Sequence, residues 1–152
     1  MNGDSVTNVL LVEDNPDDVA IIQRMAALCR TPVRLTVAGD GWAALTYVLA
    51  NGRRRASKAE TPDIILLDLG LPGIQGIDVL RLIKTDAAAR DIPIILLTGC
   101  QDKRQVRRTR ELGAHSYMLK PMSADDFAWI ARSAGRYRSV LRKVDQLGTR
   151  SG

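Results

Sequence analysis

Asp68 ends the apolar run Ile64, Ile65, Leu66, Leu67 and is followed at once by Leu69, Gly70, Leu71 and Pro72, so a carboxylate stands where a buried strand surfaces. On its own it fits three roles: a helix cap, a metal ligand or a nucleophile. Its companions lie at the ends of other apolar runs. Glu13 and Asp14 follow Val9–Val12, Thr98 follows Ile94–Leu97, and Lys120 follows Tyr117–Leu119. Three carboxylates sharing one pocket repel, so some would hold protons unless a cation neutralises them. Hard oxygen donors that leave room for water favour Mg²⁺. A cation beside Asp68, the Lys120 ammonium and the Thr98 hydroxyl would together gather the oxygens of a transferring phosphoryl group. Asp68 would then be the nucleophile and form an acyl phosphate.

The elements that must bring these residues together are legible as patterns. Five apolar runs, Val9–Val12, Val33–Val37, Ile64–Leu67, Ile94–Leu97 and Tyr117–Leu119, alternate with helical periodicities, which predicts a doubly wound α/β fold with a parallel sheet. Runs one, three and four are continuously apolar, as strands covered on both faces must be; runs two and five are mixed and read as edges. The order 2-1-3-4-5 satisfies this and sets strands one and three side by side at the topological switch point, where ligands bind in such sheets.

Five helices are expected. Asn15 before Pro16 is a cap followed by a first-turn proline, with Val19, Ile22, Ala26 and Cys29 as the core stripe. A second helix, roughly Gly41 to Ala50, presents Leu45, Val48 and Leu49. A third, roughly Ile77 to Thr85, presents Ile77, Leu80 and Ile83. The fourth is Arg-rich, with Val106 and Leu112 as its core residues. The fifth opens on a Ser123/Asp126 capping box and continues past residue 140 through Phe127, Ile130, Ala131, Ala134, Tyr137 and Leu141. Gly52 to Pro62 reads as an exposed loop.

Composition limits the alternatives. The 152 residues are 45% apolar and 26% charged, which fits one globular domain over 7–147 with short tails at 1–6 and 148–152 and no output domain. No run approaches the roughly 20 apolar residues of a membrane span, and Met1–Thr7 is unlike a signal peptide, so a cytoplasmic protein is expected. Cys29 and Cys100 have no metal-site spacing and read as reduced thiols. The net charge of +5 comes from basic clusters at 53–58, 103–110 and 132–143. No DNA- or RNA-binding signature accompanies them, so solvated faces and acidic protein partners are preferred to nucleic acid. His115, the only histidine, begins the fifth strand, away from the pocket face, and reads as structural.

Through Val12-Glu13-Asp14-Asn15, Leu67-Asp68-Leu69-Gly70-Leu71-Pro72 with Gly76, Leu97-Thr98-Gly99 and Tyr117-Met118-Leu119-Lys120-Pro121, residues 7 to 140 resemble the bacterial response-regulator receiver domain. The resemblance implies the flavodoxin-like form of the fold. It makes Asp68 the phosphoacceptor, Glu13, Asp14, Asp68 and the Gly70 carbonyl the metal ligands, Thr98 and Lys120 the phosphoryl contacts, and Thr98 with Tyr117 the switch pair. It implies phosphorylation by a sensor histidine kinase and self-directed chemistry, not enzymatic turnover. Gly70 and Cys100 occupy the positions that tune dephosphorylation, and two small side chains there predict a moderate or short phosphoryl lifetime. Trp42 in Asp40–Leu45, the long loop after helix two and the extended last helix are most similar to single-domain regulators paired with phytochrome-type kinases. That likeness implies a homodimer through helix four, strand five and helix five, with Trp129 facing outward. Three rivals remain: a degenerate receiver used as a scaffold, a basic nucleic-acid-binding module, and an aspartyl phosphatase of the haloacid-dehalogenase kind, which wants an acid where this chain has Gly70.

Overall fold

The computed structural model of the chain describes residues 6–53, 61–99 and 102–134. Cys100, Tyr137, Leu141, the 135–152 segment and most of the basic 53–58 loop lie outside the described residues, as do the side chains of 50–53. The elements are β1 (Thr7–Val12), α1 (Pro16–Leu28), β2 (Val33–Ala38), α2 (Gly41–Arg53), β3 (Ile64–Asp68), α3 (Gly76–Lys84), β4 (Ile94–Thr98), α4 (Lys103–Glu111) and β5 (Ser116–Leu119). A fifth helix, α5, occupies 124–134. The strands form one parallel sheet in the order β2-β1-β3-β4-β5, as the burial pattern requires.

Period-two alternation sorts the strand residues onto two cores. Leu10, Val12, Ile65, Leu67, Ile94 and Leu96 pack with α2 and α3. Val9, Leu11, Ile64, Leu66, Ile95 and Leu97 pack with α1 and α5, against Ile22, Phe127 and Ile130. Every side chain of β3 and β4 is buried because helices cover both faces, while β2 and β5 are half-buried edges.

Helix ends follow local chemistry. The Asn15 side chain accepts from the N–H groups of Asp17 and Asp18 at 2.9 and 3.3 Å, so Asn15, next to the acidic pair, caps α1 and the helix starts at Pro16. Ser123 and Asp126 cap α5 reciprocally, at 3.0 and 3.2 Å. Gly76 is the start of α3 for a steric reason: a Cβ there would meet the Asp68 carbonyl at 2.6 Å and Leu69 Cα at 2.8 Å. Only glycine lets α3 begin so close to the end of β3.

Three expectations need correction. In α3, Leu80 and Ile83 are fully buried as expected, but Val79 joins them in place of Ile77, which is half-buried and lines a groove toward α4. In α4 the buried residue is Thr109, its hydroxyl donating to the Val106 carbonyl at 2.8 Å; Val106 and Leu112 are half-buried. A threonine can be buried in a helix when its hydroxyl bonds back to the preceding turn, which a hydrophobic-periodicity count misses. Finally, α2 runs through Gly52 to Arg53, because glycine weakens a helix without removing the N–H that continues it.

Candidate functional site

The carboxyl ends of β1, β3, β4 and β5 converge on one pocket of about 450 Å³, lined by Glu13, Asp14, Asp68, Gly70, Thr98 and Lys120 among others. The five residues expected in the pocket, Glu13, Asp14, Asp68, Thr98 and Lys120, are therefore brought together, while the switch candidate Tyr117 sits further back. It is half-buried against the α2–α3 core, paired with Leu96 across β4–β5. Glu13, Asp68 and Thr98 are buried, and Asp14 is exposed at the rim. Glu13, Asp14 and Asp68 each offer a carboxylate oxygen, all within 4.8 Å of one another. This clustered set of hard donors, open to solvent on the Asp14 side, fits a divalent cation.

Lys120 follows β5, where its N–H donates to the Thr98 carbonyl at 2.8 Å and the Lys120–Pro121 peptide bond is cis. Its ammonium lies 2.7 Å from Glu13 Oε2, 3.2 Å from Asp68 Oδ2 and 3.4 Å from Asp18 Oδ2. Three donors on the ammonium thus meet three carboxylates from three parts of the chain. Burial pushes the Glu13 carboxyl above its ordinary value, against the pull of Lys120 and the Asn15 N–H, and neighbouring Asp68 pushes it further. For Lys120, burial favours the neutral amine, but the bond to Glu13 and the charge of Asp68 outweigh it, so its affinity for the proton is raised.

The Gly70 N–H donates to Asp68 Oδ1 at 3.1 Å, orienting the other carboxylate oxygen toward Lys120. A Cβ at Gly70 would meet only Asp68 Oδ1, at 3.7 Å, and one at Gly99 would meet nothing within 4 Å. Neither glycine is therefore required by close packing, and the space beside Asp68 at Gly70 is unfilled.

Two residues escaped the sequence reading. Asp18 bonds Lys120 and Gln105 lines the pocket from α4. The signal for Asp18 is its position one helical turn after Asp14 on a helix that starts at the pocket. Gln105 carries no such signal, since α4 reaches the pocket only through tertiary packing. His115 precedes β5, at the far end of that strand from Lys120, and is exposed.

Comparison with known proteins agrees with this geometry. The transcriptional regulatory protein KdpE of Mycobacterium tuberculosis is 30% identical over 141 residues, covering 93% of this chain and 56% of KdpE. The chain spans about half the length of the curated relatives it matches first. Among solved structures, the Mn²⁺-bound form of response regulator Rcp1 aligns with a TM-score of 0.69 at 29% identity, covering 84% of this chain and 90% of Rcp1. The phosphorylated cyanobacterial phytochrome response regulator RcpA aligns with a TM-score of 0.70 at 29% identity, covering 84% and 89%. Residues 9–131 match the family described as the response regulator receiver domain, and with the acidic pocket at the switch point of a 2-1-3-4-5 sheet this places the chain in that family.

Proposed function

We propose that Asp68 is the phosphoacceptor and that Glu13, Asp14, Asp68 and the Gly70 carbonyl hold Mg²⁺. The observation that carries this is the position of Asp68: buried at the end of β3, within 4.8 Å of two further carboxylates and 3.2 Å from an ammonium. When bound, the cation neutralises the carboxylates and the charge of the incoming phosphoryl group. An Asp68 oxygen attacks phosphorus, the bond to the donor's imidazole nitrogen or other leaving group breaks, and an acyl phosphate results. Lys120, released from Asp68, turns its ammonium to a phosphoryl oxygen, and the Thr98 hydroxyl donates to another. Water later cleaves the acyl phosphate, and the small residues Gly70 and Cys100 at the positions that tune dephosphorylation favour a moderate or short lifetime. The protein modifies itself and turns over no separate substrate.

Receiver domains take their phosphoryl group from histidine kinases. A phytochrome-type kinase is the partner we infer here, on the likeness to RcpA, and its cytoplasmic kinase domain would set the location. Thr98 and Tyr117 would couple the phosphoryl group to the α4–β5–α5 face, where the exposed Leu119 and Trp129 suit a homodimer contact. Trp129 lies off the buried stripe of Phe127, Ile130, Ala131 and Ala134. Incubating the protein with acetyl phosphate and Mg²⁺ tests the central assignment: wild type gains acid-labile, hydroxylamine-sensitive phosphate, and Asp68→Asn gains none. Equal incorporation by the variant would sink it.

A further inference from the structure

Facing α3, helix α4 builds a second concave surface beside the phosphorylation pocket. It is a groove of about 450 Å³ in which Arg81 of α3 meets Arg104 and Arg108 of α4, with Ile77 half-buried among the lining residues. Asp78 lines it too, paired with Arg81 at 3.2 Å, and so does Asp102, which caps α4 by accepting from the Arg104 N–H at 3.0 Å.

The helix breaks local rules to carry this charge. Lys103, Arg104, Arg107, Arg108 and Arg110 are all exposed, and among the described residues none lies within ion-pair distance of a carboxylate. Lys103 to Arg107 and Arg104 to Arg108 are like-charged pairs one turn apart, and the first two cations sit at the positive end of the helix dipole. Only Thr109 of this helix is fully buried. Such cost without a compensating contact among the described residues points to a contact with a partner.

We propose that the α3–α4 groove docks an acidic segment of a partner protein, with Arg104 and Arg108 clamping its carboxylates and Ile77 seating an apolar side chain between them. The guanidinium fork suits bidentate carboxylate binding. A nucleic-acid backbone fits poorly: the groove is concave, and Asp78 and Asp102 within it repel a continuous phosphate line but leave room for spaced carboxylates. Gln105 lines both this groove and the phosphorylation pocket, so the two sites share a residue. On the Asp68 assignment above, the negative charge added by phosphorylation faces the groove across Gln105 and weakens docking; by reciprocity the docked segment disfavours phosphorylation by the same factor.

Fluorescence anisotropy with a short labelled peptide of Glu, Asp and Leu, titrated into the unphosphorylated full chain, tests the docking. Salt-sensitive binding is expected, weakened about tenfold by the Arg104→Gln/Arg108→Gln double variant and about twofold or less by Lys103→Gln/Arg107→Gln. Equal losses in the two variants, no binding by wild type, or stronger competition from mixed-sequence duplex DNA than from unlabelled peptide would each overturn it. Amide shifts in ¹⁵N-labelled wild type guard against a misfolded variant: Ile77, Asp78 and Gln105 should move with peptide, and a map confined to α1 and α5 refutes the groove. Repeating the titration with acetyl phosphate separates the two assignments. If phosphate enters Asp68 and affinity is unchanged, the coupling is wrong and the phosphoacceptor stands. If no phosphate enters, the phosphoacceptor assignment fails while the first titration still decides the docking.

Discussion

Lys120 carries the electrostatic balance of the pocket. Its single ammonium serves Glu13, Asp68 and Asp18, while Asp14 adds a further acid at the rim. Glu13 is the strained member, because burial raises its folded pKa above its unfolded value. Such a group contributes stability that is present at acid pH and lost as pH rises through the folded pKa, so at neutral pH ionised Glu13 is a burden that a divalent cation relieves. The Mg²⁺-induced rise in melting temperature should therefore be largest near neutrality and shrink as pH falls toward the range where Glu13 binds its proton. A rise independent of pH would contradict this. Asp14→Asn removes one like charge and one proposed ligand: without metal it should melt a few degrees higher, corresponding to about 1 kcal/mol, and it should lose most of the Mg²⁺ response. Calorimetry with EDTA and with Mg²⁺ checks both.

Among the elements, the strands are specified by their own residues and the helices by what they must cover. Continuous apolar runs make β1, β3 and β4 central, and alternation within each run feeds two helical layers. The turn into β4 depends instead on one cation from the preceding helix. Lys84, at the end of α3, donates to the Arg90 and Ile92 carbonyls at 2.9 and 2.8 Å, and its aliphatic chain lies under Gly113, whose φ of +104° needs glycine. Burial lowers the Lys84 pKa, with Asp91 opposing it, so the ammonium is held there by those carbonyls at the expense of its hydration. Lys84→Ala should destabilise the domain by about 1–3 kcal/mol, because two carbonyls lose a charged donor. Urea denaturation measures it, and a change within 0.5 kcal/mol, the usual range for surface substitutions, would show the contacts to be dispensable.

Over the whole molecule, stability and responsiveness are separated in space. β3 and β4, with every side chain buried, hold one end of the scale, and α4, whose one fully buried residue is a threonine and which adds no side chain to either hydrophobic core, holds the other. Hydrogen exchange should find β1, β3 and β4 amides protected nearly to the global limit and α4 amides exchanging fastest among the helices over the described residues. Addition of a phosphodonor with Mg²⁺ should alter exchange in α4 more than in α1, because α4 lines the pocket through Gln105 and is weakly anchored elsewhere. Uniform change across all helices would remove α4 as the responding element. Among the described residues, no helix is long and apolar enough to cross a membrane.

The sequence by itself determined the strand order, the capped start of α1 beside the acidic pair, and the gathering of Glu13, Asp14, Asp68, Thr98 and Lys120. These depend on period-two burial and on local capping, both of which act between near neighbours in the chain. Tertiary structure decided which residue within a helix faces the core, Val79 and not Ile77, and Thr109 in α4, since a side chain's burial depends on the angle at which the helix lands on the sheet. It also decided that Asp18 reaches Lys120 across 102 positions of sequence and that Gln105 stands between pocket and groove. Contacts at that separation are set by packing geometry, to which no local pattern gives access.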